Sequence, residues 1–413
     1  MHILQLCHKV PFPPKDGGCM AMNNLTQGLI REGHTVKVLA INTKKHFTQI
    51  EQLPADYRAA TSIEAVFVDT EVKAVDAFLN LFSGASYNIS RFYSAAFEQK
   101  LIEVLQTEQF DIVQLESLYV SMYAATIRKH SKANVVLRAH NIEHQIWEQE
   151  AKQCENSLKK AYLNLLAKRL KKYELKSLEN IDAIAAITKA DTEWFKENGL
   201  GKPIVTVPFG IDVSDAAQHT GGWNKNINED YPSVFHIGAM DWQPNIEGLQ
   251  WFLKNVWPKV HSKHPELKFY MAGRKMEAQK WQQYCTQNVV LVGEVENAQE
   301  FIQSKGIMIV PLLSGGGMRV KLIEGMALGK TIVTTRTGAE GVEGVNNKDF
   351  IVVNSADAFA DAISKCITDK KLYTDIGKNA QLLAEQHYNN TVICRRLAQF
   401  YQELKASSTP HNS

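Results

Sequence analysis

Two successive series of short apolar runs, each run separated from the next by a helical stretch, constrain this chain more than any other feature. The first series opens at His2 to Cys7 and continues through a Pro/Gly loop, VPFPPKDGG, and a helical stretch from about Met20 to Glu32 that Gly33 closes. The run Thr35 to Ile41 follows. Strand, helix and strand in that order require a crossover, so the strands lie parallel. Further runs at Ile63 to Val68, Ile112 to Leu115, Val135 to Ala139, Ala183 to Ile187 and Ile204 to Val207 widen the sheet. After PFGIDV, the polar stretch Ser214 to Tyr231 reads as a linker, and the pattern then restarts. Strands are expected at Ser233 to Ile237, Lys268 to Ala272, Val289 to Val292, Gly306 to Pro311, Lys330 to Thr334 and Phe350 to Val353. Helices are expected at Asn245 to His261, Asn297 to Gln303 and Val320 to Leu328. A chain of 413 residues exceeds what one core serves. The expectation is an α/β protein of two doubly wound domains, 1–208 and 209–390, facing across a cleft. Ligands in such sheets bind at the carboxyl ends of the strands.

Bulk properties exclude several classes. Hydrophobic residues at 45% and charged residues at 22% are ordinary for a globular protein, and a net charge of +2 without a clustered basic excess argues against a nucleic-acid binder. The six cysteines form no CxxC pair, so neither a disulfide framework nor a cysteine-based zinc knuckle is expected, and a reducing cytoplasm fits. No segment approaches the roughly 18 apolar residues of a membrane span, so any membrane contact is expected to be peripheral.

The segment Ile309 to Thr335, IVPLLSGGGMRVKLIEGMALGKTIVTT, carries the strongest chemistry. A strand ends, three glycines follow, and an amphipathic helix begins. Glycines let the backbone approach a phosphate, and the free N–H groups and dipole at a helix start favour negative charge. Arg319 and Lys321 add full positive charge, suited to a diphosphate leaving group. Glu324, one turn beyond Lys321, suits both hydroxyls of a ribose. The alternative is a flexible surface turn with Lys321 and Glu324 as a solvated i,i+3 pair.

This segment resembles the donor-site signature of the family 4 retaining glycosyltransferases, which have the GT-B fold of two Rossmann-like domains. The resemblance extends over most of the chain, through PPKDGG, GLIREGHTVKVL, FDIVQLE, RAHNIEH, AITKAD, VPFGID, IGAMDWQPNIEGLQWF, AGRK, LVGEV, GGGMRVKLIEGMALGKTIV and TGAEGVEG in order. It implies that Glu324 binds the donor's ribose and that Arg319 and Lys321 bind its diphosphate. It also implies that Gly17 and Gly18 approach the phosphates or donor sugar, that Val295 lies where the base is read, and that Arg274 reaches the phosphates or sugar. His140, at the end of its strand, matches the family's active-site histidine; a lone histidine in a structural role is the alternative.

The chain departs from the family at two places. Many members have a glutamate touching the donor sugar where this chain has Gly316, so backbone amides of Gly316, Gly317 and Met318 are expected to hold that sugar. The Arg-Lys pair that often follows the second domain's first strand is replaced by Gly238, Ala239, Met240, Asp241 and Trp242. Arg319, Lys321 and Arg274 would then supply the charge, as in a subgroup with GxGxRxK-like loops, some of whose relatives make exported polysaccharides. The implied reaction is retaining transfer of a sugar from a nucleoside-diphosphate sugar to a hydroxyl of a glycan or lipid-linked acceptor. No DxD sequence occurs, and no metal or other cofactor is expected.

Other classes are weaker. His140, Glu143 and His144 spell H-x-x-E-H, an inverted zinc-peptidase signature, but His140 directly follows a β run and Glu143, His144 and Trp147 are expected to begin a surface helix. GMALGKT is one residue short of a P-loop, with its glycines at a helix end, and Lys330 is expected to face solvent. VPFPPKDGG lacks the G-x-G-x-x-G of a dinucleotide oxidoreductase. A sugar-nucleotide epimerase on the same plan would share the nucleotide site, and a non-catalytic nucleotide-binding scaffold would bind without turnover.

The acceptor is expected on the first domain, where Tyr87, Arg91 and Phe92 lie within Asp76 to Ser94; a buried connecting helix is the alternative. The basic stretch Lys159 to Lys176 suits either anionic lipid or a solvated outer face. The helical stretch Thr391 to Lys405 is expected to pack back on the first domain, with a disordered tail after Ala406.

Overall fold

The computed structural model describes residues 1–71, 80, 86–212, 230–286, 288–315 and 317–408. The chain divides into two compact units, Met1–Gly210 with Asn390–Ser413, and Ile211–Asn389. Most of the expected linker falls outside the described residues, as do Gly316 and, apart from Asn80, the 76–85 part of the expected acceptor segment.

In the first unit, seven strands form one parallel sheet: β1 (His2–Cys7), β2 (Thr35–Asn42), β3 (Glu64–Phe67), β4 (Ile112–Glu116), β5 (Asn134–Ala139), β6 (Ala183–Ala186) and β7 (Ile204–Thr206), in the order β3-β2-β1-β4-β5-β6-β7. The strands are mostly apolar because helices cover both faces, and two buried clusters flank the sheet. Asp16 caps the helix Gly17–Arg31 by accepting from the Cys19 amide at 2.9 Å, so that helix starts earlier than its apolar pattern suggests. The helix Asn390–Ser408 belongs to this unit, where it packs on the Gly17–Arg31 helix and on β5 and buries Ile393, Cys394, Leu397 and Tyr401. Gly28 makes that approach close: a Cβ there would lie 2.2 Å from the Cys394 sulfur.

In the second unit six parallel strands, β8 (Asp230–Ile237), β9 (Lys268–Ala272), β10 (Val289–Gly293), β11 (Lys305–Val310), β12 (Ile332–Thr334) and β13 (Ile351–Val352), run β10-β9-β8-β11-β12-β13. The two sheets confirm the doubly wound α/β architecture. One element differs. The helix expected over Asn245 to His261 is helical at Gln243–Trp251, widens to π geometry at Phe252–Val256 and resumes at Trp257–Lys263. Pro258 has no N–H to continue the i→i−4 ladder, and its ring crowds the preceding turn, which the wider turn relieves. In each sheet the strand order reverses beside the first strand, at β1/β4 and β8/β11, so the carboxyl ends of those pairs are the places to look for ligands.

Candidate functional site

The second unit's site grows from the ends of β8 and β11. Beyond β11, Gly315 and Gly317 adopt φ of +101° and +83°, a left-handed backbone that favours glycine, and the helix Val320–Ala327 follows. Arg319, the residue before that helix, is buried; its Nη2 donates to the Gly315 carbonyl at 2.8 Å, its Nε donates to the Thr337 carbonyl at 3.2 Å, and its guanidinium lies over the Trp242 ring. Arg319 therefore braces the glycine loop as well as charging it. Glu340 stands 3.6 Å away.

Lys321 donates to Oδ1 of Asn245 at 2.6 Å, and Asn245 in turn donates to the Ala239 carbonyl at 2.8 Å. Gly238, directly after β8, leaves the space into which these groups project. A Cβ there would lie 2.8 Å from Lys321 Nζ and 3.0 Å from both Asn245 Nδ2 and His236 Nε2. His236 is fully buried, its Nδ1 meets the Ile309 carbonyl at 3.2 Å, and its Nε2 has no hydrogen-bond partner among the described residues. Burial, with Lys321 nearby, pushes the His236 imidazole down to about 3. Burial, helped by Arg319, pushes the Lys321 ammonium down to about 7, and burial lifts the Glu324 carboxyl to about 7. A solvated surface pair would not behave this way. Two oppositely shifted groups in one short helix make this a candidate site for a polar or charged ligand.

Other expected residues are placed as follows. Met318 and Gly317 are half-buried in the loop that precedes the helix, and Val295 is half-buried just after β10. Arg274, after β9, is paired with Asp241 at 3.1 Å. Gly17 and Gly18 form the first turn of their helix, where Lys9 lies 2.7 Å from Asp16 and a Cβ on Gly18 would lie 3.0 Å from Lys9 Nζ.

The first unit's polar centre lies at the ends of β1, β4 and β5. Glu116, the last residue of β4, is wholly buried. Its Oε1 accepts from Gln5 at 2.6 Å and from Gln114, and its Oε2 meets His140 Nε2 at 2.6 Å and Arg138 at 3.3 Å. Burial alone would raise this carboxyl, but Arg138 and His140 outweigh it and hold it at about 2. His140 is itself lowered by burial against the pull of Glu116. Ser117 follows with φ +84°, a strained conformation for a serine beside this cluster.

Several expectations are corrected here. Glu143 and His144 begin the helix Glu143–Gln153, yet both are buried rather than on its surface, because Glu174 accepts from both of their amides and from His144 Nδ1 at 2.6 Å. His140 precedes that helix and turns to Glu116, so the two histidines of H-x-x-E-H serve different carboxylates. Lys330 does not face solvent: it is buried and donates to the carbonyls of Gln303 at 2.8 Å and Lys305 at 2.7 Å. Tyr87 and Phe92 are buried, with Phe92 stacked on Tyr119, so they pack the core rather than line an open path; Arg91 is half-buried. The lysines of the helix Ser157–Ser177 lie on its exposed side, with Leu163, Leu166 and Leu170 buried opposite. No helix among the described residues is long and apolar enough to cross a membrane. Sequence patterning did not assign roles to His8, Glu116, His236 or Asn245; for the first three, a position just before, at or after a strand end was the available signal, and Asn245 lies in the helix that follows β8.

Residues 17–215 match the model of Glycosyltransferase Family 4, and residues 231–369 match that of Glycosyl transferases group 1. An uncharacterized 44.6 kDa protein in the cps region of Klebsiella pneumoniae is 26% identical over 308 residues, covering 70% of this chain and 74% of that protein. Among solved structures, HepE of Anabaena in complex with UDP has a TM-score of 0.66 at 13% identity, covering 98% of this chain and 100% of that one. Sucrose-phosphate synthase of Thermosynechococcus elongatus has a TM-score of 0.68 at 15% identity, with the same coverage of each chain. Between them the two models span most of the chain, which belongs to the family 4 and group 1 glycosyltransferases and has the GT-B fold.

Proposed function

We propose that this glycosyltransferase moves a sugar from a nucleoside-diphosphate sugar to a hydroxyl of a glycan or lipid-linked acceptor, with retention of anomeric configuration and without a metal ion. The observation that carries the donor assignment is the convergence of Lys321, Asn245 and His236 on the space at Gly238, beside the glycine loop that Arg319 braces. Lys321 and the amides of the helix start would take the diphosphate, with Arg319 holding the loop and adding charge. Glu324 would take the ribose, and Gly317 and Met318, with Gly316, the sugar. As the bond to the sugar breaks, negative charge grows on the leaving diphosphate, and fixed cations stabilise it more than they stabilise the intact donor. In a front-face course the acceptor attacks from the side the diphosphate leaves and an oxygen of the leaving group takes the proton, so no protein nucleophile is needed. His140 is assigned a substrate-contacting role.

Three features support parts of this reading. HepE has been solved with UDP, with UDP-glucose, and with UDP and glucose. The relative in the cps region fits a part in cell-surface polysaccharide synthesis. The exposed lysines of Ser157–Ser177 would suit peripheral contact with the inner face of a membrane.

The test is a thermal-shift panel of UDP-, GDP- and ADP-sugars, followed by NMR of the product with any donor that raises the melting temperature. The expected result is one stabilising donor, a product with the donor's anomeric configuration, and a rate unchanged by EDTA. An inverted product, or conversion of the donor alone into its epimer, would refute the transfer mechanism.

A further inference from the structure

The network around Glu116 has a chemical consequence for two histidines. Four donors converge on this carboxylate: Gln5 and Gln114 on Oε1, His140 and Arg138 on Oε2. The carboxylate sets the orientation of both amides: because it only accepts, Gln5 and Gln114 turn their NH2 groups toward it, and their oxygens face the hydroxyls of Thr26 and of Tyr401, on the Asn390–Ser408 helix. A carboxylate facing four donors can only accept. His140 therefore carries its hydrogen on Nε2, leaving Nδ1 bare. His8, the residue after β1, meets the Glu116 carbonyl through Nδ1 at 2.9 Å. A carbonyl also only accepts, so His8 carries its hydrogen on Nδ1 and leaves Nε2 bare. The two rings meet edge to face, with centroids 5.7 Å apart. Neither bare nitrogen has a hydrogen-bond partner among the described residues.

We propose that Glu116 is a positioning residue that fixes opposite tautomers of His8 and His140, so that their bare nitrogens form a paired acceptor for the hydroxyls of a sugar, with His8 a second substrate-contacting residue. The proposal rests on the glycosyl-transfer reading above. The surrounding charges agree with it: burial, then Lys9, then His140 push His8 down to about 3, against Glu116, while Arg138 and Lys9 oppose a charge on His140. Two uncharged rings, each with one nitrogen committed as a donor, leave one lone pair apiece. Such a pair accepts O–H groups and gives nothing to a carboxylate or phosphate, which selects a polyol. The hydroxyls can belong to the donor's sugar or to the acceptor's.

The experiment uses the full-length protein labelled with 15N-histidine. Long-range 15N–1H correlation spectra at pH 7.5 should show His8 as the Nδ1–H tautomer and His140 as the Nε2–H tautomer. The reverse tautomer on either ring, or an imidazolium, would overturn the proposal. Glu116→Gln should release His140 into a tautomer mixture. Because that buried change risks the fold, His8→Phe provides the second variant. It should leave the affinity for free UDP, GDP or ADP unchanged and weaken, by about tenfold for one lost hydrogen bond, one of two probes. Loss of affinity for UDP-glucose, GDP-mannose or ADP-glucose identifies the donor's sugar as the ligand, and loss for methyl glycosides of glucose, galactose or mannose identifies the acceptor's. Unchanged affinity for both probe classes would refute the role of His8. Failure of the wild-type protein to bind any nucleotide counts instead against the transfer reading, while the tautomers still decide the role of Glu116.

Discussion

Lys321 Nζ and His236 Nε2 both lie within 3.0 Å of the one point where Gly238 would carry a Cβ, so the last turn of chain after β8 is shaped around an ammonium and a bare imidazole nitrogen. The glycine is required there because its absent side chain is the space those groups use. Gly238→Ala should therefore push Lys321 off Asn245 and weaken nucleoside-diphosphate binding by about tenfold, roughly the loss of one charge-assisted contact. Titration calorimetry of the variant checks this. Wild-type affinity would mean the space at Gly238 is not used.

Nucleotide binding should also be pH-dependent with a definite sign. Burial holds Lys321 near 7 in the free protein, and a diphosphate beside it would favour the charged form. Binding at pH 8 should then take up a proton, and affinity should fall as pH rises above about 7. Calorimetry in buffers of different ionisation enthalpy measures the uptake, and a buffer-independent heat contradicts it. The same shift acts on the fold. Because the folded value lies below the unfolded 10.5, Lys321 costs stability below pH 7, and that cost is relieved as pH rises from about 7 to about 10.5. Glu324 has the opposite balance, with stability present below about 4.5 and lost as pH climbs through its folded value of about 7.

Arg319→Lys keeps the charge and removes the geometry. A lysine cannot donate at once to the Gly315 and Thr337 carbonyls while placing a planar guanidinium over Trp242. The variant should bind nucleotide about tenfold or more weakly while remaining folded by circular dichroism. Retained affinity would show that charge alone matters.

Lys330→Ala should destabilise the second unit without altering nucleotide affinity. It strips partners from the carbonyls of Gln303 and Lys305, and an unpaired buried polar group costs about 1–3 kcal/mol. Urea denaturation reads the loss. An unchanged midpoint would mean water replaces the ammonium.

What could be read from the chain beforehand follows from locality. Buried parallel strands are apolar end to end, so β1 and β9 were legible to the residue, and the glycine loop announced itself by following a strand. Lys330 looked like a solvent-facing turn residue because the carbonyls that bury it come from Gln303 and Lys305, about twenty-five residues earlier, which no local pattern reveals. Gln5, Gln114 and Glu116 sit inside apolar strands. Their partner Tyr401 comes from the far end of the chain, so their connection becomes visible only when the Asn390–Ser408 helix packs on the first unit.

The proposed reaction depends on Lys321 and the helix start beside it gripping a nucleoside diphosphate. Calorimetric titration of the wild-type protein and Lys321→Met with UDP, GDP and ADP measures that grip. One nucleotide should bind the wild type and lose at least about tenfold in affinity to the variant, whose unliganded form should melt no lower than the wild type. Equal affinity in both proteins would contradict the claim.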